Sequence, residues 1–162
     1  MKMLDLYPAG TRLELGALTF TAEDIIRFAS TFDPQPFHID AEAAKSYVFG
    51  GLCASGWHTC AGWMKNFVAF WDAATLRLKS TGTDAPRLGP SPGFSELQWL
   101  KPVYAGDTVT YFMTPIETRR MPGTKGYMVI SALCEGFNQK GEPVLRFNSN
   151  IIEFPEPEDL PA

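Results

Sequence analysis

Two kinds of apolar periodicity divide the chain. Residues 11–20 set Leu13 and Leu15 against Arg12 and Glu14, the period of two expected of a half-buried strand. From Thr21 the period lengthens: Ile25, Ile26, Phe28 and Ala29 mark one helical face, and Thr21 with Asp24 makes a capping-box-like start. Pro34 disfavours helical geometry at Asp33, which predicts a helix ending at about Phe32. Asp40 reads as the cap of a second short helix over 41–45. A third helix is predicted from Gly56 to about Leu78. Trp57, Ala61, Met64, Val68, Trp71 and Leu76 lie near one of its faces, and Cys60, Trp63, Phe67, Phe70 and Ala74 broaden that face. A helix apolar over most of its circumference is normally buried, and about 23 residues give roughly 35 Å of rod, enough to run the length of a small sheet. Its aromatics read as core packing in preference to a cofactor box.

The second half reads as strands over 94–100, 108–117, 127–137 and 144–154, with turns at 102–107, 121–126 and 138–141. In the last strand Leu145, Phe147, Ser149 and Ile151 take one side, and Arg146, Asn148 and Asn150 the other. Between helix and strands, residues 80–93 hold Gly82, Pro86, Gly89, Pro90, Pro92 and Gly93. That density of breakers predicts a loop, read here as a flap near a ligand site. Helices first and strands afterwards is the α+β pattern, with an antiparallel meander. We expect a single domain over residues 1–154, followed by a proline- and acid-rich tail, 155–162, that frays.

Composition narrows the function. A chain of 162 residues with 45% hydrophobic content can bury a real core. A net charge of −4 gives no support to nucleic acid as a main partner. Cys53, Cys60 and Cys134 form neither an even framework nor a C-x-x-C pair, so a reduced cytoplasm is the simplest setting. Only two histidines exist, and no cluster has ligand spacing, so no metal is expected; a zinc site from His58 and Cys60 lacks further ligands. The most apolar segment, 57–71, is broken by His58, Lys65 and Asn66 and falls short of the ~18 residues of a membrane span.

The candidate chemistry sits at Asp33 and His38, five positions apart with Pro34 and Pro36 between them. This reads as a stiff, helix-free connector. Fully extended it would separate the two groups by roughly 16 Å, so a shared site requires a turn between the prolines. Taken alone, the two residues fit a solvated loop better than a shared site, because Asp and His are common in loops. The run Phe49-Gly50-Gly51-Leu52-Cys53-Ala54-Ser55-Gly56-Trp57 shifts the balance. Glycines let backbone approach a ligand, and the helix that follows offers unpaired N–H groups to an oxyanion. A carboxylate, an imidazole and oxyanion donors are the parts needed to add water beside an activated carbonyl. Ser55 is the predicted cap of the long helix. His58, one turn into that helix, reads as a structural, hydrogen-bonded histidine.

Thr21-Ala-Glu-Asp-Ile, Phe28-Ala29, Asp33-x-x-Pro36-Phe37-His38-x-Asp40-x-Glu42-Ala43-Ala44 and Phe49-Gly50-Gly51 resemble the MaoC-like dehydratases, or (R)-specific enoyl-CoA hydratases. The stretch Leu100-Lys101-Pro102-Val103-Tyr104-Ala105-Gly106-Asp107-Thr108-Val109 is similar to that family's second signature. Departures are visible: Phe32 and Gln35 stand where the family usually has glycine and asparagine. Ser55-Gly56-Trp57 replaces its His-Gly-Met, and Met64 falls where some bacterial members have a serine. The resemblance implies a hot-dog fold, an antiparallel sheet wrapped around a long central helix. It further implies reversible hydration of a 2-enoyl thioester to the (R)-3-hydroxyacyl thioester, with no cofactor beyond the CoA thioester substrate. On that reading Asp33 and His38 are catalytic, and Ser55, Gly56 and Trp57 bind substrate. The substrate would be carried by CoA or an acyl-carrier protein, at the interface of a homodimer. Two other readings stay open: an acyl-CoA thioesterase, for which Asp72 lies too far along the helix, and a non-catalytic acyl-CoA or acyl-carrier binding protein. Arg87, Lys101, Arg119, Arg120 and Lys125 are available to phosphates, and none is singled out.

Overall fold

The computed structural model describes residues 1–155; of the tail expected to fray, all but Pro155 lies outside them. The elements run α1 (Met3–Leu6), β1 (Leu13–Thr19), α2 (Ala22–Phe32), α3 (Pro36–Ile39), α4 (Ala41–Ala44), α5 (Gly56–Ser80), β2 (Gly93–Trp99), β3 (Thr108–Arg120), β4 (Met128–Asn138) and β5 (Pro143–Glu153). The strands form one sheet in the order β1-β3-β4-β5-β2, every neighbouring pair antiparallel. The sheet holds α5 against its inner face: this is the hot-dog arrangement.

The helix starts follow local chemistry. Thr21 Oγ1 accepts from the Asp24 N–H at 3.1 Å, Asp40 Oδ1 accepts from Glu42 and Ala43, and Ser55 Oγ accepts from Trp57. Each occupies an N–H that the helix itself leaves without a partner. The strand faces follow the period of two. Val109, Tyr111 and Met113 of β3, and Leu145, Phe147, Ser149 and Ile151 of β5, are buried against the helix side. Trp63 of α5 is the largest fully buried side chain. Its indole N–H donates to the Phe112 carbonyl at 3.0 Å while its ring meets Phe147 of β5 edge-on at 5.1 Å, joining helix to sheet.

Three expectations need correcting. The connector is not helix-free: residues Pro36–Ile39 make one helical turn with Pro36 at its start, where proline loses no hydrogen bond, and His38 lies on that turn. Nor is α5 buried all round. Gly62, Trp63 and Ala74 are inside, but Trp57, Met64, Val68 and Leu76 are 48–68% exposed, because one sheet covers only one side of the rod. The loop over 81–92 is no flap over the site. Gly89 N–H donates to the Ile152 carbonyl at 2.7 Å, Ile152 N–H to Pro90 at 3.1 Å and Phe154 N–H to Arg87 at 2.8 Å. The loop is thereby stitched along the end of β5. No helix among the described residues is long and apolar enough to cross a membrane.

Candidate active site

The end of α2 and the turn of α3 bring the two sequence candidates together. Asp33 is the C-cap of α2, its N–H bonded to the Ala29 carbonyl. The chain then reverses tightly: Gln35 N–H donates to the Asp33 carbonyl at 2.7 Å and His38 N–H to the Gln35 carbonyl at 2.9 Å. As a result His38 Nε2 lies 3.4 Å from Asp33 Oδ2, with both side chains largely buried.

The orientation of the imidazole is fixed from behind. His38 Nδ1 stands 2.7 Å from the Cys53 carbonyl oxygen. A carbonyl only accepts, so Nδ1 carries a proton and Nε2 is the nitrogen turned towards Asp33. Cys53 is itself anchored, its N–H donating to the Phe37 carbonyl at 3.3 Å and the next N–H, of Ala54, to Val103 at 2.8 Å. The second signature segment is thus the clamp that holds the imidazole's backbone partner. Burial pushes the Cys53 thiol up to about 11, so this sulfur beside His38 stays protonated and is no competing nucleophile.

Asp33 is held ionised. Its partial burial pulls the carboxyl up, but hydrogen bonds from Ser55 and Gln35 and the nearby His38 outweigh burial and leave it below the usual carboxylate range. Gln35 Nε2 donates to Oδ1 at 2.7 Å, which leaves Oδ2 to face the histidine. Ser55 is fully buried. Its oxygen caps α5 while its hydroxyl serves Asp33, so one side chain ties the helix start to the carboxylate.

The first turn of α5 supplies the remaining group. Trp57 N–H goes to Ser55 Oγ at 3.2 Å, and the N–H groups of His58 and Thr59 go to the Ser55 carbonyl at 2.9 and 3.3 Å. Among the described residues the Gly56 N–H has no partner. Gly56 lines the same cavity, of about 590 Å³, as Asp33, His38 and Trp57. Of the sequence candidates, Asp33, His38, Gly56 and Trp57 therefore meet in one cavity, and Ser55 sits directly behind its wall. Sequence reasoning did not assign Gln35, Cys53, Trp99 or Val144 to this site. Gln35 was visible as a motif departure; nothing local pointed to the others.

The second histidine is elsewhere. His58 stacks on Phe28 at 4.4 Å, 5° from parallel, and meets Phe20 edge-on at 4.8 Å. The hydrogen bond expected of it is not made: Nδ1 is buried with no partner. Burial holds its pKa below the usual value, against the pull of Asp24. Among the described residues no three His, Cys, Asp or Glu side chains cluster as metal ligands. Asp72, the carboxylate considered for thioester hydrolysis, is exposed on α5 and borders no part of this cavity. Of the lysines and arginines, Lys101 lines it, already paired with Glu142 at 2.5 Å.

Comparison with known proteins agrees with this architecture. The MaoC like domain model matches residues 8–131. A MaoC-like dehydratase from Rhodospirillum rubrum has a crystal structure that is similar at 32% identity, covering 95% of this chain and 97% of that one, with a TM-score of 0.72. The (R)-hydratase PhaJ1 of Pseudomonas aeruginosa shares the fold at 22% identity and a TM-score of 0.60, over 91% of this chain and 83% of its own. An uncharacterized Bacillus subtilis protein, YdeM, is 27% identical over 151 residues, 92% of this chain and 96% of its own. With its sheet, its central helix and both signature segments in place, the chain belongs to the MaoC-like domain family.

Proposed function

We propose that this protein reversibly adds water across the C2–C3 double bond of a 2-enoyl thioester. The observation that carries the reading is the pairing of Asp33 Oδ2 with His38 Nε2, 3.4 Å apart at the wall of a cavity that Gly56, at the start of α5, also lines. A water that donates to Oδ2 and to Nε2 of the neutral ring has its oxygen lone pair directed at the cavity. The pair takes one proton as the oxygen bonds to C3. Charge moves onto the thioester oxygen, where the Gly56 N–H receives it, and the pair returns a proton to C2. Water is consumed whole and no proton is gained or lost. A preorganised donor of this kind is worth about 3–4 kcal/mol of barrier, and the acid–base pair ~10²–10⁴-fold in rate.

The (R)-hydratases that share this fold make the (R)-3-hydroxyacyl product the one to look for, on CoA or on an acyl-carrier protein. The test is loss of enoyl-thioester absorbance over short, medium and branched acyl-CoA substrates, with chiral analysis of the alcohol. Turnover to the 3-hydroxy thioester supports the reading. Release of free thiol without that product would favour a thioesterase, and tight acyl-CoA binding without turnover a binding protein.

The working unit in this reading is a homodimer. β2 is an edge strand, and Phe94, Trp99 and Leu100 along it are exposed together with Trp57, Met64 and Val68 of α5. Edge contact between Trp57 and Trp99 makes the two sets continuous. A strand edge with an apolar flank invites an antiparallel copy of itself. Sedimentation showing a stable, active monomer would overturn this part.

A further inference from the structure

A distortion in β2 places a side chain in the site that alternation along the strand would keep out. In the ladder with β5, Ser95 pairs with Asn148 and Gln98 with Arg146, so two residues of β2 stand opposite Phe147 alone. The extra residue is a bulge, and it reverses which face the following residues occupy. Phe94 pairs with the inward-facing Ser149, and Trp99, five positions on, pairs with the inward-facing Leu145. Without the bulge, five positions would put them on opposite faces. Glu96, inside the bulge, has φ +54, a conformation non-glycine residues rarely adopt, and its carboxylate accepts from Asn148 Nδ2 at 2.8 Å. Strain of this kind persists where the surroundings over-determine it, commonly beside a functional site.

The reversal lays the Trp99 indole on the backbone of Gly56. A Cβ at residue 56 would overlap the ring atoms Cδ2, Cε2 and Nε1 of Trp99, so only glycine fits beneath it. The ring is also held by edge contact with Trp57 at 5.2 Å between centroids. Trp99 also lines the cavity shared by Asp33 and His38.

Resting on the proposed hydration, we infer that Trp99 determines specificity by walling the thioester end of the site against substrates branched at C2. With the thioester oxygen on the Gly56 N–H, the indole over Gly56 stands beside the carbonyl carbon and the two atoms bonded to it, the sulfur and C2. A methyl group on C2 competes for the volume the ring fills, whereas lengthening the chain beyond C3 does not.

The test measures calorimetric affinity for two saturated thioesters that cannot be hydrated, butyryl-CoA and 2-methylpropanoyl-CoA. Wild type is compared with Trp99→Ala and Trp99→Leu, each checked by circular dichroism and thermal melting. The expected result is a wild-type preference for the unbranched ligand of about tenfold or more, the scale on which a pocket discriminates one methyl group. It should collapse towards unity in Trp99→Ala and fall part-way in Trp99→Leu. An unchanged preference in a folded variant, no preference in wild type, or no binding of either ligand to wild type would overturn the inference. Turnover of crotonyl-CoA, measured in parallel, tests the hydration reading separately, because the binding ratio does not depend on catalysis.

Discussion

The two histidines of this chain are almost equally buried, at 5% and 9% exposure, yet their surroundings equip them for different work. His38 has a carbonyl behind it and a carboxylate in front, so one nitrogen is committed and the other is aimed into a cavity. His58 lies between two phenylalanine rings, with a buried nitrogen that meets no partner. The lesson is that burial does not mark a reacting imidazole. Two-sided polar contact does, because it fixes tautomer and direction together.

The contrast breaks most visibly in rates. His38→Ala and Asp33→Asn are each expected to lower kcat per folded molecule by ~10²–10⁴-fold. Removing the other ring should cost stability without that loss of rate. His58→Ala leaves a gap between Phe28 and Phe20, and is expected to cost about 1–3 kcal/mol in urea unfolding, with kcat per folded molecule nearly unchanged. A rate loss as large as that of His38→Ala would erase the distinction between the two sites.

Ser55→Ala sharpens the picture on the His38 side. It removes a helix cap, worth about 1 kcal/mol, and one of the bonds that keep Asp33 ionised. The native carboxyl is depressed, so its contribution to stability is present above the unfolded pKa and is lost as pH falls through the native one. Without Ser55 that native value rises, and the acid limb of the kcat/KM profile should move to higher pH. The smallest effect belongs to His58. Its native pKa lies below the ordinary 6.5, so the unfolded chain binds the proton first. The stability it contributes is complete above 6.5 and declines as pH falls from there through the native value. Melting temperature followed over that window should fall less steeply in His58→Phe than in wild type.

What the sequence disclosed follows the range of the forces involved. The starts of α2, α4 and α5 were legible, because Thr21, Asp40 and Ser55 act on N–H groups two or three residues away. The inward faces of β3 and β5 were legible because alternation is local. The pairing of Asp33 with His38 was legible only as a requirement that the chain turn between two prolines; the helical turn that meets it was not foreseen. For His58 the structural role is legible but the packing that replaces a hydrogen bond is not, because Phe20 and Phe28 come from other segments of the chain. Trp99 could not be seen at all, since a one-residue bulge reverses the face it occupies. The exposed side of α5 reads as core in the sequence because apolar periodicity says that a face will be covered, not what will cover it.

The most direct measurement is a crystal structure of Asp33→Asn with crotonyl-CoA bound. The account predicts the thioester oxygen within hydrogen-bonding distance of the Gly56 N–H, and C3 facing the gap between residue 33 and His38 Nε2. An acyl group seated away from that gap, with its carbonyl on some other donor, would contradict it.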